Sequence, residues 1–336
     1  MATLAKSDAS PAPRTRGLKI PPQGVGGFDR SWFPICLSTD VGPGEVIGRE
    51  FMDGQIVIWR GESGTPHVQS AFCRHLGAHL KVGEVVGEHI RCAFHHWSYD
   101  GKGQCIKIAA GDTPPRDATL FDFPTRESLG LIWAFNGDEP DVELPHFSAP
   151  EDTLLLKAHH VKDMNIDSYM VFSNSMDFQH LKVVHGVELI GDLEDLEITD
   201  RGMTYSQNMK IPGIGTVRQT IRAWGTNSIA LEGVTMGRKT FQMSVGCPLP
   251  GNRARIFNID STVKPTDAPG DAQMAEQLIQ IMIDFGDRLI AEDAPVHDSM
   301  SFRHDRMAES DKYLAMYLRF ARLYPRHHPA ADLIAV

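Results

Sequence analysis

The chain has little that would place it in a membrane or on a nucleic acid. Its 336 residues carry 43 acidic and 33 basic side chains, which leaves a formal net charge of −10. No basic stripe of the kind that follows nucleic-acid phosphates interrupts this acidic balance. No run of apolar residues approaches the roughly 20 that cross a bilayer. We therefore expect neither a nucleic-acid partner nor a membrane span.

Cysteine is also scarce, with five in the whole chain. Cys36, Cys105 and Cys247 are scattered without the spacing of a disulfide framework, which is typical of a reduced, cytoplasmic protein. The N-terminus lacks an apolar signal core, and its alanine-, serine- and proline-rich composition predicts a flexible tail over residues 1–27. The total length suits two domains rather than one.

The other two cysteines each stand beside a histidine. Cys73 and His75 form a C-x-H pair, and Cys92 and His95 form a C-x2-H pair on a second short loop. In a Rieske [2Fe–2S] centre two imidazoles replace thiolates on one iron and raise the reduction potential. A structural zinc is the alternative, although zinc fingers usually pair cysteine with cysteine and histidine with histidine. We predict that these four side chains hold a [2Fe–2S] cluster.

The pattern of predicted elements divides the chain. Residues 28–145 read as short strands punctuated by glycine, which is typical of a small all-β domain. Beyond the proline- and acid-rich stretch 136–145, we expect a helical region over 162–185 and strands between 203 and 264. Apolar residues at 3–4 spacing predict a long helix from 271 to about 304. Residues 146–336 are thus expected to form an antiparallel sheet covered by helices, so the fold class is α+β.

A second group of metal-ligand residues lies in the predicted helical region. Mononuclear ferrous iron is commonly held by two histidines and one carboxylate, with other positions open to O2 and substrate. His180 and His185 can supply the imidazoles. Because five-residue spacing turns the second side chain about 140° from the first, we expect a π-bulge or a helix end between Leu181 and Val184. Asp177 can face the same side as His180 and orient a ligand imidazole.

The two motifs together, and the run Phe94-His95-His96-Trp97, give the chain a family resemblance. It resembles the terminal oxygenase (alpha) component of the Rieske non-haem iron oxygenases, and among them the group of 3-ketosteroid 9α-hydroxylase and cholesterol 7-desaturase. The resemblance covers nearly the whole sequence after the tail. It implies an all-β Rieske domain followed by a helix-grip-like catalytic domain with mononuclear Fe(II). It also implies a head-to-tail ring, most often a homotrimer.

The same resemblance implies roles for individual residues. A late aspartate on a long helix would be the third iron ligand, and Asp293 matches that context best. Asp177 would bridge to His75 or His95 of a neighbouring subunit, and Asn174 matches an asparagine found near the iron. The carboxylates considered for the third ligand are Asp284, Asp287, Glu292, Asp293 and Asp298.

The implied activity is oxidation of a small apolar substrate by O2. Electrons from NAD(P)H would reach the cluster through a separate reductase, with or without a ferredoxin between them. The chain has no Gly-x-Gly-x-x-Gly run in a βαβ context, which favours a separate reductase. We expect the pocket between residues 164–176 and the strands of 203–264, where methionine is plentiful and adapts to irregular apolar ligands.

Several functions remain open at this level. The first interpretation is hydroxylation or other monooxygenation of an apolar cyclic compound such as a steroid, terpenoid or aromatic. O- or N-demethylation of a methylated aromatic is the alternative, because one iron chemistry serves both. Non-enzymatic alternatives are a Rieske electron carrier and a ligand-binding module with a degenerate iron site.

Overall fold

Short antiparallel strands build the N-terminal half of the protein. The structure is a computed structural model that describes residues 20–303 and 306–328. The strands of this half are β1 Phe28–Asp29, β2 Trp32–Leu37, β3 Val46–Phe51, β4 Gly54–Arg60, β5 Pro66–Ser70, β6 Glu84–Val86, β7 His89–Arg91, β8 Ser98–Asp100, β9 Cys105–Lys107, β10 Asp122–Phe123, β11 Thr125–Ser128 and β12 Leu131–Phe135.

Three small sheets contain eleven of these strands, whereas β1 pairs with Arg326–His327 near the end of the described chain. One has the order β10-β5-β4-β3, the second β11-β12-β2 and the third β6-β7-β8-β9. Trp59 and Tyr99 are completely buried between the sheets, so each sheet hides one face. The third sheet and the loop after β5 present the two Cys–His loops at one end of this half, because β7 and β8 are joined through Cys92 to Trp97.

Within the described residues, the C-terminal half consists mainly of one large sheet and four α-helices. Its elements are β13 Leu154–Met164, α1 Ser168–Ser173, α2 Phe178–His185, β14 Glu188–Leu189, β15 Glu194–Ile198, β16 Gly202–Ile211, β17 Gly215–Trp224, β18 Ser228–Thr235, β19 Arg238–Leu249, β20 Arg253–Val263, α3 Asp271–His297, α4 Lys312–Leu323 and β21 Arg326–His327. The sheet is antiparallel, with the order β13-β20-β19-β18-β17-β16-β14, and β15 pairs with β16. The predicted α+β class is confirmed.

The long helix α3 covers the sheet because its apolar residues recur every three or four positions. Ala275, Leu278 and Met282 are buried along one side of the helix, whereas Met274 and Ile281 remain exposed. Inward and outward side chains alternate along β16, where Met203, Tyr205 and Met209 share the inward face. The helices and this face enclose the space in which the second metal motif lies.

Part of the segment predicted as a flexible tail, residues 1–27, contacts the C-terminal half. Ile20 is buried in the core of the C-terminal half. The Gln23 amide donates to Asp167, 2.7 Å away. The guanidinium of Arg326 donates to the carbonyls of residues 21, 22 and 25. These contacts hold the segment against the C-terminal half, which sequence composition cannot reveal; residues 1–19 lie outside the described part.

Two further expectations need correction at their boundaries. The predicted helical region 162–185 begins as the end of β13, and helix begins only at Ser168. The long helix ends at His297 rather than near residue 304, with Pro295 in its last turn. No helix within residues 20–303 and 306–328 is long and apolar enough to cross a membrane.

Candidate metal centres

The two Cys–His loops lie side by side at the exposed end of the N-terminal half. Each loop closes on itself, because the amide of Cys73 donates to Ala78 O and the amide of Cys92 donates to Trp97 O, both at 2.9 Å. Both cysteines are buried. The rings of His75 and His95 are exposed, and their centroids lie 4.6 Å apart. The sulfurs therefore lie inside and the imidazoles outside.

This separation of sulfur from nitrogen fits a two-iron cluster better than a single zinc ion. Four ligands of one zinc would crowd into a tetrahedron with Zn–S near 2.3 Å and Zn–N near 2.0 Å. Among the described residues, the four candidate ligand atoms here do not form such a group. A [2Fe–2S] cluster needs a sulfur pair on one iron and a nitrogen pair on the other. Ligation by these four residues remains a prediction, and the donor set fits it.

Neighbouring side chains support the loops. The Tyr99 hydroxyl accepts from the Arg74 amide at 3.0 Å and lies 3.2 Å from the Cys73 sulfur. Trp97 stacks on His75 with ring centroids 4.6 Å apart. His79 hydrogen-bonds Gln55 at 2.9 Å. Burial raises the pKa of the Cys73 thiol, so an uncompensated thiolate is disfavoured there and a cationic partner is required to hold it.

The second motif brings two histidines and an aspartate to one point. His180 and His185 come from α2, and Asp293 comes from the last part of α3. The two Nε2 atoms are 3.0 Å apart, and each lies 3.0 Å from Asp293 Oδ1. Of the candidate carboxylates, Asp293 alone joins both histidines as a potential metal ligand among the described residues.

The spacing of these three atoms fits one metal ion. Ligand atoms about 2.1 Å from an ion and at right angles to each other are about 3.0 Å apart, as on one face of an octahedron. Asp293 Oδ1 is buried and accepts no hydrogen bond of normal geometry from any described residue. A buried carboxylate oxygen without a donor is costly, whereas a cation between the three atoms would satisfy it. The residues therefore fit a two-histidine, one-carboxylate ferrous site.

The prediction of a π-bulge or helix end between Leu181 and Val184 is wrong. Helix α2 runs without a break from Phe178 to His185 and ends there, where Gly186 takes a left-handed conformation with φ +69°. The two imidazoles converge from the first and last turns of the helix, and their ring centroids are 4.8 Å apart. The side chains of His180 and His185 are long enough for their rings to meet, although the five-residue spacing directs their Cβ atoms to different sides of the helix.

Asp177 has a different contact from the one expected. Its Oδ1 accepts from the backbone amide of His180 at 2.9 Å, so it caps the N-terminus of α2. The carboxylate that orients an imidazole is instead Glu292, whose Oε2 lies 2.6 Å from His185 Nδ1. In the sequence, Glu292 was a candidate for the third iron ligand because it adjoins Asp293. No other feature of the sequence indicated its contact with His185.

Asn174 lies beside the carboxylate of the site. Its Nδ2 donates to Asp293 Oδ2 at 2.9 Å and lies 3.3 Å from His297 Nε2. His297 is buried and was missed at the sequence level, although its position four residues after Asp293 on one helix face could have indicated it. Because an amide N–H donates to Nε2, the neutral ring carries its proton on Nδ1.

Burial and charge act in opposite directions on the three candidate ligands. Burial alone would lower the pKa of His180, but the Asp293 carboxylate raises it overall. Burial would raise the pKa of Asp293, but the adjacent His180, with the charges of His185 and His297, lowers it overall. Burial lowers the pKa of His297 and favours its neutral ring. These shifts favour an imidazolium at His180 beside the Asp293 carboxylate, and a metal ion bound between them would displace the imidazolium proton.

A mostly apolar cavity of about 170 Å³ opens onto His185, Asp293 and His297. It lies where the sequence placed the pocket, between residues 164–176 and the strands of the large sheet. Its apolar walls come from α1, α3 and the inward faces of β18 and β20. The wall residues include Met164, Val171, Phe172, Ile229, Ile256 and Ile290.

Comparison with known proteins identifies the class of the chain. Residues 31–124 match the model of the Rieske [2Fe–2S] domain. Cholesterol 7-desaturase nvd of Bombyx mori is 27% identical over 185 residues, covering 54% of this chain and 40% of that protein. The oxygenase component of 3-ketosteroid-9-alpha-monooxygenase from Rhodococcus rhodochrous is 32% identical over 124 residues, covering 37% and 32%. The chain spans less than half the length of these relatives.

Solved structures share the fold over most of the chain. Pseudomonas putida CBB5 NdmA with caffeine aligns at a TM-score of 0.70 and 23% identity, covering 86% of this chain and 90% of that one. Apo dicamba monooxygenase aligns at 0.68 and 17%, covering 87% and 95%.

The chain contains a Rieske [2Fe–2S] domain and has the fold of Rieske oxygenase alpha subunits. The predicted resemblance is confirmed. The cofactors implied by the domain and by the triad of His180, His185 and Asp293 are a Rieske cluster and a mononuclear iron.

Proposed function

We propose that this protein is the terminal oxygenase component of an NAD(P)H-driven system that oxidises an apolar cyclic compound. The observation that carries the proposal is the triangle of His180 Nε2, His185 Nε2 and Asp293 Oδ1, two of whose residues, His185 and Asp293, line an apolar cavity. When bound, the [2Fe–2S] cluster supplies single electrons, and ferrous iron supplies open coordination positions for O2. Cys73, His75, Cys92 and His95 would hold the cluster.

The surrounding residues would hold these ligands ready. The His185 Nδ1–H donates to Glu292, which leaves the Nε2 lone pair facing the triangle. Asn174 donates to Asp293 Oδ2, which leaves Oδ1 facing the two histidines. The apolar walls exclude water beside the iron ligands. Residues that fix geometry in this way raise metal affinity and keep the substrate carbon next to the oxidant.

Electron entry requires protein partners. Oxygenase components of this class work with a reductase, and a separate NAD(P)H-dependent reductase is the partner we propose, with or without a ferredoxin. The exposed loop residues Leu76 and Phe94 have exposed fractions of 66% and 62%, and Val183 on α2 has 81%. Apolar side chains so exposed favour contact with another protein.

We further propose a head-to-tail homotrimer. The Cys–His loops of one subunit would dock on α2 of the next, with Asp177 between His75 or His95 and the neighbouring iron site. Such a heterologous contact closes into a ring when its rotation allows. The five cysteines are unpaired, which supports the proposal that the protein works in a reducing compartment, the cytoplasm.

Iron content and oxygen uptake test the proposal. Three irons per chain are expected in the holoprotein, and two in His180→Ala, because the triangle loses a ligand. His146→Ala, which alters an exposed histidine outside both sites, serves as the control. With a surrogate reductase and NADH, an apolar cyclic compound should stimulate oxygen uptake by the wild type and not by His180→Ala.

Other results would overturn parts of the proposal. Two irons in the wild type would reduce the protein to an electron carrier. Full iron content without substrate-dependent oxygen uptake, across a panel of cyclic compounds, would favour a binding module. Release of formaldehyde from a methylated aromatic would identify the demethylase alternative instead.

A further inference from the structure

The cavity beside the iron triad, the inner cavity, adjoins a second cavity, the outer cavity. The outer cavity, about 120 Å³, lies between the inward face of β16–β18 and helix α3. Leu181, Leu231 and Leu289 line both cavities and therefore stand between them. Ile214 and Ile281, at the rim of the outer cavity, have exposed fractions of 40% and 43%. The two cavities are therefore adjacent, and a ligand that fills the inner cavity can extend between these leucines into the outer one.

The outer cavity differs from the inner one in its polar side chains. Gln207 on β16 and Gln219 on β17 are directly opposite each other in the sheet and both point inward. Gln242 and Thr235 belong to the same wall. A buried glutamine among inward apolar residues is unusual, because burial of an amide without partners is unfavourable.

The amide of Gln207 is only partly satisfied. Its Nε2 donates to Gln219 Oε1 at 3.2 Å, but its own Oε1 accepts from no described residue, although the side chain is only 4% exposed. Gln242 is used differently, since its Nε2 donates to Asp260 at 2.9 Å. Gln207 Oε1 is therefore a fixed acceptor that a ligand hydroxyl or N–H can satisfy.

Charge sets a further limit on the ligand. Neither cavity is lined by a lysine or an arginine among the described residues. A carboxylate buried in the outer cavity, away from the iron ligands, would have no cation to pair with, and its loss of hydration would be uncompensated. The outer cavity therefore favours a neutral polar group over a carboxylate.

We propose that the substrate is an elongated, uncharged apolar molecule with a hydroxyl or N–H group at the end remote from the oxidised carbon. Gln207 would accept a hydrogen bond from that group, while Leu181, Leu231 and Leu289 would admit only a narrow body between the two cavities. This inference rests on the proposed function of the iron site and specifies its substrate. Gln207 is then a specificity residue that lies outside the iron site.

Three compounds of one rigid, narrow shape test this directly: 4-phenylphenol, biphenyl and biphenyl-4-carboxylate. Binding to the anaerobic holoprotein is measured by calorimetry, without turnover. We expect 4-phenylphenol to bind about threefold to tenfold more tightly than biphenyl, as one neutral hydrogen bond allows. The carboxylate should bind at least about 100-fold more weakly than 4-phenylphenol.

The variant Gln207→Met keeps the side-chain length and removes the acceptor. Its preference for 4-phenylphenol over biphenyl should disappear, while affinity for biphenyl stays within about twofold. Gln277→Met, at an exposed position of α3, is the matched control and should keep the preference. If Gln207 only pairs with Gln219 for stability, Gln207→Met will lower the melting temperature and keep the preference, which overturns the proposal.

The wild-type measurement stands without any variant. Equal affinity for the carboxylate and 4-phenylphenol would overturn the proposed ligand class even if Gln207→Met failed to fold. Iron content and NADH-dependent oxygen uptake are recorded on the same preparation. If iron content and oxygen uptake are normal but 4-phenylphenol binds no more tightly than biphenyl, only the proposed outer subsite is rejected. If iron content and oxygen uptake are also lost, the oxygenase assignment is rejected.

Discussion

Glu292 fixes the orientation of one of the candidate iron ligands, the imidazole of His185. Its oxygen lies 2.6 Å from His185 Nδ1, although the carboxylate side chain is 39% exposed. A carboxylate in this position fixes the ring and makes the opposite nitrogen more basic. The His185 side chain is almost fully buried, whereas Glu292 reaches the surface. Their contact therefore joins the buried iron site to a solvent-exposed carboxylate.

Replacement of Glu292 should weaken iron binding without unfolding the protein. We expect Glu292→Ala to lower iron affinity by about 10-fold to 100-fold. Glu292→Gln should recover part of it, because its Oε1 still accepts from Nδ1. Iron retention after dialysis against a graded chelator measures this, and the exposed Glu276→Ala on the same helix is the control. Equal retention in all variants would contradict the assigned role.

A second residue-scale effect concerns Asp167, whose carboxylate accepts from the Gln23 amide. Burial, together with the charge of Asp29, raises the pKa of Asp167 to about 7, although the Gln23 amide and Arg326 lower it. The unfolded chain releases this proton near pH 4, whereas the folded protein holds it until about pH 7. Stability contributed by the protonated group is therefore lost as pH rises through that window.

Asp167→Asn should remove this pH dependence. The unfolding free energy of the variant relative to the wild type should rise by about 2–3 kcal/mol between pH 5 and 7 and level off above. Urea titrations from pH 5 to 8 measure it, with exposed Asp267→Asn as control. A difference that does not change with pH would show that Asp167 is not protonated in the fold.

At the scale of the element, helix α2 determines where both histidines stand. Asp177 caps its start, and Gly186 ends it directly after His185. The Val187 amide donates to Leu181 O at 2.9 Å, so the chain turns back at once. With φ +69°, Gly186 adopts a conformation that a side chain disfavours, and a Cβ there would lie 3.3 Å from Pro212 Cγ.

Alanine substitutions at Gly186 and Gly213 distinguish an effect on folding free energy from an effect on the geometry of the iron site. Gly213 also has a positive φ, +77°, but no atom lies within 4 Å of an added Cβ. Each alanine substitution should cost about 1 kcal/mol of folding free energy because of the backbone conformation. Only Gly186→Ala should also reduce iron content, because it displaces the end of α2. Unchanged iron in Gly186→Ala would mean that the helix end does not position His185.

At the scale of the whole molecule, the two halves are joined by buried polar contacts as well as by apolar packing. The Asn136 side chain donates to the carbonyls of Phe28, Asp29 and His327, each at 3.1 Å. Asn227 donates to Trp32 O at 2.8 Å. These bonds fix the direction in which the Cys–His loops point relative to α2, and hence the geometry available to a ring of subunits.

Asp177→Asn tests the proposed electron path between subunits. Asparagine caps a helix as well as aspartate, so fold, trimer mass by light scattering and iron content should be retained. Turnover driven by the reductase should nevertheless fall by at least about tenfold, because the carboxylate between the two centres is gone. Stopped-flow oxidation of the reduced cluster measures the step, with Asp267→Asn as control. If the reduced cluster of Asp177→Asn is oxidised at the wild-type rate, Asp177 only caps the helix and takes no part in electron transfer.

The sequence was informative where function depends on local spacing. The pairs Cys73–His75 and Cys92–His95 fall on tight loops, and His180 and His185 fall on one helix, so each motif is visible in a few consecutive residues. Asp293 was reached through a family resemblance, because nothing local distinguishes it from the other acidic residues of α3. The expected helix irregularity was wrong because backbone angles alone ignore the reach of imidazole rings.

Residue order by itself determined the two donor sets, the change from short strands to sheet and helix, and the α+β class, since these follow from spacing and periodicity. Tertiary structure alone decided that Asp293 meets the histidines, that Glu292 and His297 stand beside them, and that residues 20–27 pack against the C-terminal half. It also decided that Gln207 keeps a free acceptor in the outer cavity. The physical reason is that these contacts join residues distant in the chain, and only the packed sheet and helices determine their distances.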